Sequence, residues 1–194
     1  KKNRPVMVRT DGTVDYELNH ENHALKLNGG ASDITKTSYG GNAMSEIPLI
    51  WVKRWTQNNY HFVVFCEEQY DDTYKAYAHT DADGNVLPVT YFPMYEGSVV
   101  NSRMRSLSGL TPTASMTDEQ ETTAAKQNGD RWDKQSFSEI NLMYEMCTMI
   151  TCSTNSQGKF GNGNSQSDNF LQTGTLNGKG QFFGYTSTTQ AVKV

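Results

Sequence analysis

The sequence has few of the features that build a disulfide framework or a membrane span. Only three of its 194 residues are cysteine. Cys147 and Cys152 are five residues apart and would lie on diverging sides of one helix, beyond the reach of a disulfide. A reducing site of synthesis is therefore the simplest inference. No apolar run approaches the ~20 residues of a membrane helix, so we expect no membrane insertion.

An excess of positive charge is missing as well. The chain has 17 Lys and Arg against 21 Asp and Glu, with a formal net charge of −4 and a pI near 5.5. Because nucleic-acid-binding proteins usually present a basic face, no nucleic-acid partner is expected. Arg103 and Arg105 come nearest to a basic cluster, and ordinary exposed strand charges explain them better.

Bulky side chains are plentiful despite the polar composition. Hydrophobic residues make up 36% of the chain and its mean hydropathy is −0.67, yet it has 10 Tyr, 8 Phe, 3 Trp and 8 Met. These side chains can fill a core. We expect one folded body with a polar surface and long loops. A Gly-, Ser- and Asp-rich link at residues 28–42 predicts an N-terminal hairpin arm, residues 1–36, before a globular domain, residues 37–194.

Three hairpins are predicted in the first half of the chain. Strand-like segments flank Asp11-Gly12, a dipeptide typical of a type I′ turn. A second pair, residues 49–55 and 60–66, flanks the polar residues 57–59. A third pair, residues 74–80 and 86–92, flanks the turn 81–85. Pro88 and Pro93 place the last of these strands at an edge or across a bend.

Two helices are predicted in the second half. Thr117 with Gln120, and Ser136 with Glu139, have the spacing of a capping box, so helices are expected near 117–127 and over 137–150. Apolar residues recur every three or four positions in the second helix. Paired strands followed by helices indicate an α+β fold. The side chains expected to be largely buried are Trp51, Trp55, Phe62, Val64, Trp132, Phe137, Ile140, Met143 and Cys147.

The turn at residues 81–85 resembles the start of a calcium loop. An EF-hand needs a carboxylate at its twelfth position, and Phe92 stands there. A polar hairpin turn explains this segment better.

Other candidate chemistry is equally weak. His20 and His23 have metal-like spacing, but they follow a strand in a stretch without helical periodicity, which favours a solvated turn. No serine or cysteine has the flanking residues of a known nucleophile motif. We therefore expect no enzyme, no cofactor and no bound metal.

A set of short motifs resembles a large family of phage and prophage virion proteins. Residues 39–54 are similar to that family's Asn-x-Met-x-Glu-x-Pro strand, and residues 9–18 to the hairpin that precedes it. Residues 97–109, the Asn-Gly-x-x-Trp run at 128–132 and residues 153–163 after the long helix follow in the family's order.

This resemblance implies a C-type-lectin-like fold, in which a small twisted, mostly antiparallel sheet and two helices carry long ordered loops. The family usually continues into a Trp-rich Gly-Asn-x-Trp strand that has no counterpart here. Two alternatives follow: the domain lacks this closing strand, or the sequence is truncated before it. The paired reactive cysteines of the fold's enzyme branch and the calcium motifs of sugar-binding lectins also have no counterpart.

The function implied is that of a virion protein, assembled in the bacterial cytoplasm. It would be a tail- or head-fibre receptor-binding protein that attaches to a host surface glycan or protein. Its partners would be other virion proteins and further copies of itself, commonly as a trimer. The alternative is a structural protein that decorates or joins the particle without receptor contact.

The candidate binding residues are Gln181, Phe183 and Tyr185, which would share one face of a strand by period-two alternation. They belong to a segment rich in Asn, Ser, Gln and Gly with a few aromatics, a composition that suits adaptable contact surfaces. The alternative, that Phe183 lies in the core and Tyr185 is only half-buried, stays open.

Overall fold

The described part of the chain has an α+β fold, with antiparallel sheets and two α-helices. The computed structural model describes residues 2–155 and the short strands Thr175–Leu176 and Phe182–Phe183. The elements in chain order are β1 (Arg4–Arg9), β2 (Val14–Glu17), β3 (Gly41–Pro48), β4 (Trp51–Gln57), β5 (Tyr60–Cys66), a 3-10 turn (Tyr77–His79), β6 (Val89–Pro93), β7 (Ser98–Val100), β8 (Arg103–Arg105), α1 (Asp118–Lys126), α2 (Phe137–Thr151), β9 (Thr175–Leu176) and β10 (Phe182–Phe183).

A four-stranded antiparallel sheet in the order β2-β1-β3-β6 organises the body. Its two faces belong to different clusters, because side chains alternate along each strand. Val6 and Val8 of β1 pack with Met44 on one face. Met7 points to the other face, into a cluster completed by Leu18, Ile34, Ala43, Tyr95 and Leu107.

The predicted division after residue 36 does not separate an arm from a body. Strand β1 is an inner strand and pairs with β3 from Arg4↔Glu46 to Arg9↔Gly41. Detaching the hairpin from the sheet would expose the buried residues Val6, Met7 and Val8. The polar link at 28–42 is therefore a connection within one core.

The first hairpin is confirmed, but its turn is not type I′. A type I′ turn needs positive φ at both central residues, and here Gly12 (φ 83°) has it while Asp11 does not. The Thr13 N–H instead donates to the Asp11 carboxylate at 2.9 Å. Glycine is needed at position 12 because it adopts this left-handed conformation without a Cβ penalty.

The second predicted hairpin is confirmed as β4–β5, which forms a two-stranded sheet of its own. Asn58 (φ 51°) and Asn59 (φ 64°) are both left-handed, as a two-residue type I′ turn requires. Asn101 and Ser102 repeat this geometry between β7 and β8.

The third predicted hairpin is wrong. Residues 74–80 contain a 3-10 turn, and only the isolated bridge Thr80↔Val86 joins the two segments. Strand β6 pairs instead with β3, from Met44↔Pro93 to Pro48↔Val89. Non-local pairing wins because it buries Phe92 with Ile47.

Both helices and both capping boxes are confirmed. At α1 the Thr117 hydroxyl accepts from the Gln120 N–H while the Gln120 side chain accepts from the Thr117 N–H. Ser136 and Glu139 make the same reciprocal pair at α2. These bonds satisfy N–H groups that the helix itself leaves without partners.

The predicted core face of α2 is wrong. Leu142 is the helix's one buried residue, whereas Phe137, Ile140 and Met143 are exposed and Cys147 is half-buried. Polar side chains hold the inner face: Glu145 pairs with β4 and Glu139 accepts from Thr90 on β6. The remaining burial predictions also failed, with Trp55, Phe62 and Val64 exposed and Trp51 and Trp132 half-buried.

A buried arginine ties the loop before β3 to β8. The Arg105 guanidinium donates to the backbone oxygens of Thr37 (3.0 Å), Tyr39 (2.7 Å) and Gly41 (2.6 Å) and to the Asn42 Oδ1 (3.1 Å). Burial lowers its pKa. The prediction that Arg105 is an ordinary exposed charge is therefore wrong, because the carbonyl groups of a neighbouring loop take the place of water.

Candidate functional site: the β4–β5 hairpin and helix α2

The predicted binding residues are not brought together by the described part of the structure. Gln181 and Tyr185 lie outside the described residues. Phe183 is described only as a backbone partner of Thr175 in the β9–β10 pair. Their role stays a prediction.

The β4–β5 hairpin has one face rich in aromatic groups. The ladder pairs Trp55 with Phe62 and Gln57 with Tyr60. The Trp55 and Phe62 rings stack with centroids 4.8 Å apart and planes 9° from parallel. The Lys53 ammonium lies 5.8 Å from the Trp55 ring centroid. Tyr60, beside the turn, is 70% exposed. We call the surface formed by Trp55, Tyr60, Phe62 and Val64 the aromatic face.

The opposite face of the hairpin is turned towards α2. Val52 is buried in one cluster with Leu142. Two residues along β4, the Arg54 Nε and Nη2 donate to the Glu145 carboxylate at 2.6 and 2.7 Å. This bidentate pair fixes the register between strand and helix. An isolated two-stranded hairpin is marginal in water. Its packing against α2 and the backbone hydrogen bonds between Val52 and Lys75 stabilise it.

The outer side of α2 is unusually apolar for an exposed surface. Six large hydrophobic side chains of this helix are exposed, with Phe137 at 77%. A solvent-facing helix surface is ordinarily polar, and contiguous exposed apolar area on a monomer marks contact sites. The exposed side chains of α2 are Phe137, Ile140, Met143, Tyr144, Met149 and Ile150. Met149, seven residues after Leu142, lies on the Leu142 side near the end of the helix, and the other five form the outer side.

A cavity of about 330 Å³ lies between β4, the 3-10 turn and the start of α2. Its floor is apolar and includes Val52, Ala76 and Leu142. Tyr77 and Phe137 stand at its rim as exposed aromatic groups. The polar lining residues in the described part of the chain are Arg54, Lys75, Ser138 and Asn141, and none of these is acidic. This volume lies at the small end of the range for ligand sites, which are mostly apolar with a few convergent polar groups.

The described residues offer no metal-binding cluster. Within residues 2–155 no group of three or more His, Cys, Asp or Glu is arranged to hold a metal ion. His20 pairs with Glu17 at 2.6 Å, and His23 is buried in the loop before β3. Burial raises the pKa of the Cys147 thiol, which disfavours the thiolate a nucleophile would need.

The turn at residues 81–85 is closed by its own side chains. The Asp81 carboxylate accepts from the backbone N–H groups of Asn85 (2.8 Å) and Asp83 (3.0 Å). The hydrogen bond from the Asn85 N–H, the largest contribution, lowers the pKa of Asp81. The carboxylate therefore stabilises the turn, as the polar-turn interpretation predicts.

The sequence analysis missed this site because it assigned the bulky residues of β4, β5 and α2 to the core. A signal was nevertheless present. Apolar and aromatic residues occupy both alternating sets of β5, residues 60–66, whereas a strand with one buried face alternates with polar residues. The polar residues Asn141 and Glu145, which lie in α2 next to Leu142, could likewise have indicated that polar groups face the sheet.

In the described part of the chain no helix is long and apolar enough to cross a membrane.

Comparison of the chain with protein-family models, with curated proteins and with solved structures finds no match.

Proposed function

We propose that this chain is a phage virion protein with a C-type-lectin-like fold that attaches the particle to a host surface molecule. The proposal combines the motif resemblance with a non-catalytic contact surface. Antiparallel strands, two helices and long connections are compatible with the proposed fold.

The observation that carries the binding role is the exposed aromatic face. Tryptophan and tyrosine supply large contact area with a polar atom at one end, and they dominate binding energy at interfaces. Tyr60 is 70% exposed, and Trp55, Phe62 and Val64 are 37–39% exposed. Contact with a partner would recover the free energy of burial that these side chains forgo, on the order of 25 cal/mol per Å² of apolar surface. A rigid hairpin held by α2 presents these rings at little entropic cost on binding.

The convergence of the resemblance motifs supports the proposed fold. Asn42, Arg105 and Asn128 come from three separate motif segments. The Asn42 Oδ1 accepts from Arg105, and the Asn42 Nδ2 donates to the Asn128 Oδ1 at 3.2 Å. Trp132, from the same segment as Asn128, donates its indole N–H to the Thr10 backbone oxygen at 2.9 Å. The residues of these motifs therefore stabilise the fold together. The binding surface would be formed by other residues.

The test is adhesion of the labelled full chain to a panel of bacterial strains, with competition against phage adsorption. Tyr60→Ala should weaken adhesion while leaving the Tm nearly unchanged. Tyr70→Ala is the matched control, because Tyr70 is a similarly exposed tyrosine outside the aromatic face. Absence of adhesion and of competition, or equal losses from Tyr60→Ala and Tyr70→Ala, would contradict the proposed role of this face.

A second candidate function, a structural virion component without receptor contact, is favoured by the outer side of α2. Aliphatic and methionine side chains there suit a protein neighbour better than a hydrated surface. Antibody labelling of intact particles separates the two candidates: a distal tip supports adhesion, and a collar or internal position supports a structural role. An Ile140→Glu change should prevent incorporation into particles if this helix surface contacts another virion subunit.

A further inference from the structure

We propose that the cavity between β4, the 3-10 turn and α2 binds an acidic sugar unit, such as a uronic acid, by its carboxylate and one apolar ring face. This inference deepens the proposed adhesion function and rests on it for the identification of the ligand as a saccharide. The residues named as lining the cavity all belong to the described part of the chain.

The charge around the cavity is positive. The protein is acidic overall, yet Lys75 and Arg54 line this cavity, and none of the described residues that line it is acidic. Arg54 is already paired with Glu145. Within residues 2–155 the Lys75 ammonium has no carboxylate partner, so it is available to an anionic ligand. Its backbone N–H and carbonyl are held by Val52, which fixes the start of its side chain.

Apolar and polar groups occupy different parts of the cavity lining. The floor is apolar, and Tyr77 and Phe137 present exposed rings at the rim. Such rings pack against the C–H groups on one face of a pyranose. Ser138 and Asn141 are one helical turn apart on α2 and supply a hydroxyl and an amide that can bind sugar hydroxyls. An apolar surface, neutral donors and the Lys75 ammonium together match an acidic sugar better than a neutral one.

The size of the cavity limits the ligands that it can bind. A cavity of about 330 Å³ accommodates a compact ligand, not an extended peptide or a nucleic acid. One terminal sugar of a longer glycan can enter it while the rest of the glycan lies over the rim. The pocket floor is shaped by Val52 and Leu142, which belong to the core, so the site exists before the ligand arrives.

The test titrates the full chain with sodium D-glucuronate, D-glucose and sodium benzoate, followed by NMR chemical shifts. Glucuronate should bind about fivefold or more tightly than glucose, because a hydrogen bond to a charged group exceeds one to a neutral group. It should also bind more tightly than benzoate, which has the carboxylate but no hydroxyl groups. Equal binding of glucose would overturn the role of the cation. Equal or tighter binding of benzoate would overturn the sugar assignment.

Variants locate the site. Lys75→Gln should abolish the preference for glucuronate over glucose, and Ala78→Phe should block binding by filling the cavity. Lys36→Gln removes the same charge outside the cavity, where Lys36 pairs with Asp33, and should have no effect. Should Ala78→Phe fail to fold, Lys75→Gln alone decides. Unchanged glucuronate binding by Lys75→Gln overturns the cavity proposal, even if the chain adheres to bacteria. Glucuronate binding lost with Lys75→Gln supports it, even if adhesion to bacteria is absent.

Discussion

Leu142 and Ile140 of helix α2 provide a matched pair for testing which side of the helix faces the core. Leu142 is 1% exposed and packs with Ile47, Val52 and Phe92, whereas Ile140 is 45% exposed. Truncating a buried leucine to alanine costs ~2–5 kcal/mol. We expect a cost of about 3 kcal/mol for Leu142→Ala, in the lower half of that range. The reason is that the existing cavity already borders Leu142, so truncation enlarges an open space and creates no sealed void.

The same substitution at Ile140 should cost less than about 1 kcal/mol. Only part of the isoleucine surface leaves water on folding, and alanine's higher helix propensity offsets some of the loss. The assay is urea unfolding at 25 °C, followed by far-UV circular dichroism, with unchanged m-values as the check that both variants unfold from comparable native states. Equal costs, or a larger cost at Ile140, would refute this orientation of α2.

Three further outcomes follow from buried or paired polar groups. Arg105→Met should cost at least about 3 kcal/mol, because it removes the donor to the backbone oxygens of Thr37, Tyr39 and Gly41; Arg103→Met is the control, and similar unfolding free energies for both variants would contradict the role assigned to Arg105. Ser136→Ala should cost ~1 kcal/mol by loss of the α2 cap while Ser136→Asp should not, and urea unfolding that ranks the two equally would argue against the cap. Hydrogen bonding from Arg9 lowers the pKa of the Asp15 carboxyl from its ordinary 3.8, so this pair contributes stability above about pH 4 that is lost as the pH falls through the folded-state pKa; Asp15→Asn should flatten the acid limb of the unfolding free energy measured against pH, and an unchanged limb would show that the pair is energetically silent.

The local elements were predictable because their causes are local. Each capping box is a four-residue pattern whose reciprocal hydrogen bonds form within one turn, and both helices begin where those patterns place them. The β4–β5 hairpin follows from two asparagines that tolerate left-handed backbone.

Partner choice and exposure were decided by contacts distant in sequence. Strand β6 pairs with β3 and not with residues 74–80, because that register buries Phe92 beside Ile47 and Leu142. The first hairpin belongs to the main sheet because β1 lies between β2 and β3 and pairs with both strands.

The candidate site shows most clearly which features the sequence determines and which depend on tertiary contacts. By itself, the sequence determined where the hairpin turns, where both helices start and that bulky side chains are abundant, because backbone hydrogen bonding and φ preferences act over a few residues. Only the tertiary structure decided that Leu142 faces inward while Ile140 faces out, and that Lys75 and Asn141 border one cavity. Periodicity identifies an apolar side of a helix, but the side that becomes core depends on what the sheet presents. Here Arg54 of β4 and Thr90 of β6 hydrogen-bond to Glu145 and Glu139, which draws the polar side of α2 inward.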